Sequence, residues 1–512
     1  MTVDFPQVNV TIARQASLTP AVDQRVLIVG QKLAAGSAAS GALIENVQDD
    51  VLSNNDAFGA RSILAEMVRE WFKVNKLTSL DVIPINDNAG GTQAVASFAF
   101  TGTATESGTL FFEVGSGKNY RYQIDVLSGE TAATVAGRLQ TLLALSTTAP
   151  WTSALDTADV DFTAANAGPL ANDWTLFVDG AVAGLSVAIT GWNGGATGPV
   201  LSNTFVPIDG RRYQTIVWPS DFAAATLETE LDARFNANNQ NLQGIGIQTF
   251  IGTATEAIAA ATALNSQSMV LIASKGVSKT EIVGTAHREF PDVIATRVAA
   301  VRALRMTEGA PIEQIMTTVA PLDQFGGRHI SALPYANTVV LNMPVIRQAD
   351  QFTSLELTQL RDGGVSVVAP NPNFSAMILG EMVTTNTTNE SAQPDDSFKF
   401  VSVVDTMAAI RDAFFGTFKL RYAQSRLTNG ALRPGLDMVN QASFEALTEE
   451  VYLSLAEDAL VQAGQPALAD FRLNRIVEVS IAEGKITFAC APLLVTGLRI
   501  ILATISVNFG TE

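Results

Sequence analysis

The residues near the N-terminus best placed to do chemistry lie in RVLIVGQKLAAGSAASG, residues 25–41, where an apolar run meets glycines at 30, 36 and 41. A strand that enters a glycine-rich turn can cradle a pyrophosphate, because glycine lets backbone amides approach the phosphate oxygens. That chemistry needs the spacing GxGxxG. Here Gly30 is followed by Gln31 and Lys32, whose side chains would occupy the approach, and no acidic residue follows a second strand at the distance a ribose requires. The stretch reads as a sheet strand with a small-residue loop.

The other chemical candidates fall in turn. VGSGKN (114–119) leads a strand into GSGK, but a phosphate loop needs glycine where Phe112 stands and Ser or Thr where Asn119 stands. A hairpin turn is the simpler reading. His287 and His329 are the only histidines, and neither has a second ligand at zinc spacing. Cys490 is the one cysteine; it rules out an internal disulfide and sits on a predicted strand without cationic neighbours to activate it. No G-x-S-x-G elbow occurs. The acid pairs Asp395–Asp396 and Glu449–Glu450 lie in polar surroundings, where solvation is their default role. No enzyme, cofactor or metal site is expected.

Composition agrees with a packed protein whose surface is covered by other subunits. Of 512 residues, 47% are hydrophobic and only 16% charged, enough apolar mass for two to four domains. The net charge of −18 argues against binding a phosphate backbone, so no direct nucleic acid is expected. MTVDFPQVNV lacks the basic and apolar segments of a secretory signal. The longest apolar stretch, residues 493–507, is interrupted by Arg499 and is too short to span a bilayer comfortably. A soluble product made in the cytoplasm is expected, with no membrane insertion.

The elements alternate. RVLIVG is a continuous apolar strand, ILAEMVREWFKVN after Ser62 is a helix with Ile63, Leu64, Met67, Val68, Trp71 and Phe72 on one side, and LDVIPI (80–85) is a strand. From about 92 to 200 the chain turns rich in Thr, Gly and Ala, and reads as a β-rich module with one helix, inserted into the α/β layer. Alternation resumes through YQTIVWP, LETELDARF, GIGIQTFIG, AIAAATALNS and SMVLIAS. SAMILGEMVTT reads as a strand. FEALTEEVYLSLAEDALVQAG reads as one helix ended by Gly464 and Pro466, and RIVEVSIAEG with KITFACAP as a hairpin. Both chain ends alternate like half-buried strands: Val8, Val10 and Ile12 share one face, and so do Ile505, Val507 and Phe509. Such strands need a sheet to join, whether in their own domain or elsewhere.

The segments RVLIVGQKLAAG, FGARSILAEMVREWFKVNK, DVIPINDNAGG, DGRRYQTIVWPSD, LTQLRDGGVSVVAP and the closing RIVEV…KITFACAPLLVTGLRIILATISV, in this order, resemble the tail sheath proteins of contractile-tail bacteriophages. The 92–200 segment, including NAGPLANDWTL, is similar to an insertion found in some sheaths. The resemblance implies a multi-domain α/β (α+β) fold: a mixed-sheet sheath core with extended N- and C-terminal strand arms and an inserted β-rich domain. It divides the chain into an N-terminal arm and linker (1–24), the first part of the core (25–91), the inserted domain (92–200), the α/β core (201–375), a C-terminal domain (376–491) and a C-terminal linker and arm (492–512).

It implies a structural subunit that forms hexameric rings stacked helically on a tail tube, in contact with tube, baseplate and tail terminator proteins. The rings contract to drive the tube through the host envelope, without nucleotide, from free energy stored in an extended lattice. The location implied is the virion, after assembly in the host cytoplasm. Val8, Val10, Ile12, Ile505, Val507 and Phe509 become anchors of strands lent to neighbouring copies, and Pro20, Pro492 and Gly497 become hinges. The rival readings are a nucleotide-binding α/β enzyme and a surface adhesin or layer protein; the absence of a signal segment counts against the second.

Overall fold

The computed structural model describes residues 24–116, 119–235, 242–275, 289–306, 335–346, 351–433, 435–458 and 460–495. Among these the chain forms two compact units, residues 24–405 and 406–495.

The larger unit begins with strand β1 (Arg25–Lys32), helices α1 (Val51–Phe58) and α2 (Ile63–Val74), and strand β2 (Ser79–Asn86). Ser62 caps α2, its hydroxyl accepting from the Ala65 amide. An antiparallel module follows: strands β3 (Gln93–Gly102), β4 (Gly108–Val114) and β5 (Arg121–Val126), helix α3 (Ala132–Leu143), then strands β6 (Trp151–Asp156), β7 (Asp159–Ala167), β8 (Leu176–Asp179) and β9 (Leu185–Asn193). The chain re-enters the first layer with β10 (Thr215–Val217), α4 (Ala224–Phe235), β11 (Ile245–Gly252), α5 (Ala254–Leu264), β12 (Met269–Lys275), α6 (Pro291–Met306), α7 (Ser354–Asp362), β13 (Val365–Pro370) and β14 (Met377–Leu379).

Seven of these strands make one sheet in the order β14-β13-β12-β11-β10-β1-β2, parallel except for β14. The continuous apolar strands follow from burial of both faces. Val26 and Ile28 of β1 pack in the same cluster as Leu64 and Trp71 of α2 and Val298 of α6. Leu27 and Val29 face a second cluster with Trp218, Leu227 and Leu231. Beyond it, Leu271 and Ala273 of β12 meet α5 and Leu360 of α7.

The module makes two sheets, β6-β7-β3-β9 and β5-β4-β8. Rings fill the space within it: Phe98 lies edge-on to Phe112 at 5.2 Å, and Trp151 edge-on to Phe162 at 5.4 Å. Trp174 carries the series on to Phe290, just ahead of α6, at 4.7 Å. The module and the seven-stranded sheet therefore share one continuous core. Gly115 shows how close the fit is: it holds φ +74°, and a β-carbon there would lie 2.0 Å from the Phe290 ring.

Helix α8 (Val401–Tyr422) leads into the smaller unit, which holds β15 (Arg426–Leu427), β16 (Met438–Val439), α9 (Gln441–Glu457), α10 (Gln465–Asn474), β17 (Ile476–Ser480) and β18 (Lys485–Ala489). Two expectations need correction. Only Met377–Leu379 of SAMILGEMVTT is strand, because the Val383 and Thr384 amides turn to the Ser366 hydroxyl and the Lys399 carbonyl instead of extending a ladder. The long helix ends at Glu457; Gly464, at φ +100°, and Pro466 start α10 rather than stop α9.

Candidate functional site

In an open parallel sheet, ligands bind beyond the carboxyl ends of the strands where the winding reverses. Here the reversal lies between β1 and β10, since β2 follows β1 on one side and β10 adds on the other. Strand β1 ends there at Lys32 and enters the glycine-rich loop, which runs on to Gly41 against Pro84 of β2.

Side chains and the inserted module fill the crevice. Gln31 donates through Nε2 to Asp87 Oδ1 at 3.1 Å and to the Ala167 carbonyl at 2.9 Å. Asn166 donates to Asp87 Oδ1, and the Ala167 amide to Asp87 Oδ2, both at 2.9 Å. Even with these donors, burial holds the Asp87 carboxyl above its ordinary range. Lys32 folds back to donate to the Leu33 and Gly36 carbonyls. Gly36 is required for packing: a β-carbon there would lie 2.5 Å from the Ala57 carbonyl oxygen at the end of α1. The amides that would hold a pyrophosphate are thus engaged or covered, and Asp87 and Asp221 border the space.

Gly115 and Ser116 of GSGK follow β4, which pairs antiparallel with β5; Gly117 and Lys118 lie outside the described residues. His287 and His329 lie outside the described residues. Cys490 is half-buried, and burial pushes its thiol up to about 11, away from reactivity. Asp395 accepts from the Ser397 amide in a turn, Asp396 pairs with Lys399, and Glu449 pairs with Arg472 and Arg475. No group of three or more metal-ligating side chains is found among the described residues.

The buried polar groups that do converge are structural, and the sequence gives little sign of them. Arg297 is fully buried between Glu70 and Glu289, with Nη1 2.5 Å from Glu289 Oε2 and Nη2 2.5 Å from Glu70 Oε2. Asn342 also donates to Glu70, and Tyr120 of the module donates to Glu66. Burial acts to raise Glu70, but Arg297 and Lys73 outweigh it and bring the carboxyl to about 2; burial prevails at Glu289, at about 7. Arg302 pairs with Asp405, which also accepts from Tyr335. Hydropathy patterning gave no sign of these partners, which lie far apart in sequence.

Of the residues expected to join subunits, Val8, Val10, Ile12, Pro20, Gly497, Ile505, Val507 and Phe509 lie outside the described residues. Pro492 is half-buried, just ahead of a stitch in which the Gln462 amide donates to the Leu493 carbonyl and the Val495 amide to that of Leu460. The smaller unit carries a sheet of only two strands, β17 and β18, paired antiparallel from Ile476↔Ala489 to Ser480↔Lys485. Phe488 packs against Phe414, Phe418 and Phe444, so one face is seated. Among the described residues, no strand pairs with either outer edge.

No family model matches the chain. Over 423 residues it is 25% identical to the Mu-like prophage FluMu tail sheath protein of Haemophilus influenzae, covering 81% of this chain and 79% of that one. Among solved structures, a sheath tail protein of Desulfitobacterium hafniense aligns over 96% of this chain and 98% of its own, at 12% identity and a TM-score of 0.47. The helical sheath of the anti-feeding prophage in its contracted state aligns over 97% and 98%, at 10% identity and a TM-score of 0.42. The similarity to a prophage tail sheath protein, over four-fifths of the chain, points the same way as the resemblance carried by the sequence motifs.

Proposed function

We propose that the protein is the structural subunit of a contractile tail sheath, polymerising as stacked hexameric rings around a tail tube and contracting to drive that tube through the host envelope. Its role is cohesion under movement, not turnover of a substrate. Its partners are further copies of itself, the tube protein, and baseplate and terminator proteins, in the virion. The observation that supports this most is kinship with a tail sheath protein over four-fifths of the chain.

The β17–β18 hairpin suggests how neighbours stay joined. A two-stranded sheet is marginal alone, and its unpaired edges can accept further strands. Residues 8–13 and 503–509 alternate as donated strands would. Each net hydrogen bond contributes roughly 1 kcal/mol and each large buried apolar side chain about 1.5–3 kcal/mol. With residues 493–495 stitched down, flexion would fall beyond Val495, around Gly497.

Negative-stain microscopy of purified, concentrated protein tests the reading. Hollow, striated cylinders of uniform bore are expected. Discrete particles at every concentration, together with saturable binding of a dinucleotide, would favour an enzyme instead.

A further inference from the structure

The crevice between the ends of β1 and β10 holds a second group that the sheath role does not use. Asp221 follows β10 by four residues, and both oxygens of its carboxylate are buried with no partner beyond the residue's own backbone amide. A buried carboxylate with only its own amide as donor, and with no counter-ion among the described residues, is unfavourable by several kcal/mol, and a proton is the simplest remedy. Its neighbours remove the alternatives. The charges facing it are Asp292 in the first turn of α6, Asp173 in the short 3-10 helix Pro169–Asp173, and Asp87 beyond β2, all acidic. Lys32 is the nearby cation, and it acts on Asp87 and is bonded to two carbonyls. Asp292 differs in having a firm donor, its Oδ1 accepting from the Ser220 amide at 2.7 Å, although its Oδ2 is buried without a partner.

The position of Asp221 connects the proton to the module. A β-carbon on Gly198 would lie 3.9 Å from Asp221 Oδ2, so the module's closing loop lies over the carboxyl. That loop is tied back to the core by Asn88, which donates to the Gly198 carbonyl at 3.1 Å. We propose that Asp221 is carried as the neutral carboxylic acid while the loops around Gly168 and Gly198 are closed over it, and that opening them releases its proton, which makes the seating of the inserted module on the core proton-linked. Burial, then the charge of Asp292, holds the Asp221 carboxyl well above its ordinary 3.8, which agrees. A raised native value means that stability is fully present below about 4 and falls as pH rises above it.

The experiment uses full-length protein and Asp221→Asn, an isostere that cannot ionise. Thermal unfolding is followed from pH 5 to pH 9, with and without millimolar calcium, alongside hydrogen exchange corrected for intrinsic pH dependence. The melting temperature of Asp221→Asn relative to the natural protein should rise with pH, by at least about 2 °C at pH 9. In the natural protein, exchange at residues 166–173 and 194–200 should increase several-fold between pH 5 and pH 9. A pH-independent difference in melting temperature would overturn the proposal. So would unchanged exchange in those loops, which decides the matter even if the variant does not fold. Calcium stabilising the natural protein but not the variant would also overturn it, by showing a metal cation in place of the proton. None of these outcomes bears on polymerisation, so the proposal and the sheath reading fail independently.

Discussion

Deleting residues 500–512 is expected to leave a folded protein that no longer polymerises. The strand they would supply carries Ile505, Val507 and Phe509 on one face, together worth about 5–9 kcal/mol of apolar burial, with roughly 1 kcal/mol more for each main-chain bond. Association and ordering cost several kcal/mol in return, so losing one arm is enough to remove the surplus that holds a lattice together. Deleting residues 1–14 should do the same from the other end. All five tryptophans lie buried in the larger unit, so native tryptophan fluorescence establishes that its fold survives while microscopy scores assembly. Cylinders of ordinary length from either deletion would refute strand exchange.

The second large effect is expected at Arg297. Its replacement by methionine preserves much of the volume but leaves Glu70 and Glu289 buried without the cation between them, at about 3–5 kcal/mol. The loss should appear as a shift of the urea midpoint in tryptophan fluorescence; a change under about 0.5 kcal/mol would show that the network does not matter. The same carboxylates shape the pH response of the natural protein. Glu70, brought to about 2, adds stability that is present above its ordinary 4.5 and is lost as pH falls toward 2. Glu289 and Asp292, raised to about 7 and about 6, have the opposite sign: their contribution is complete near pH 4 and declines as pH rises through 6 and 7. The melting temperature should therefore be highest in mildly acidic solution.

Much of the architecture is legible from periodicity because the parallel sheet buries both faces of its strands. RVLIVG, LDVIPI and GIGIQTFIG are apolar for that reason and fall in β1, β2 and β11. Helix α2 shows where periodicity stops. Its apolar face is evident, but Glu66 and Glu70 look like a solvent face and are buried, since the module covers them and Arg297 reaches Glu70 from 227 positions away. Two boundaries are not legible in the pattern because local polar contacts replace regular structure: the Ser366 and Lys399 contacts beyond β14, and the turn between α9 and α10. The hairpin is evident from its alternation, but that only two strands pair in its sheet among the described residues is not, because this depends on partners distant in sequence.

The most direct measurement is a high-resolution reconstruction of the assembled polymer, tracing the chain at both outer edges of Ile476–Ser480 and Lys485–Ala489. Residues 8–13 and 503–509 of adjoining copies are expected there, completing a four-stranded sheet. Edges left bare, or filled by both termini of the same molecule, would contradict it.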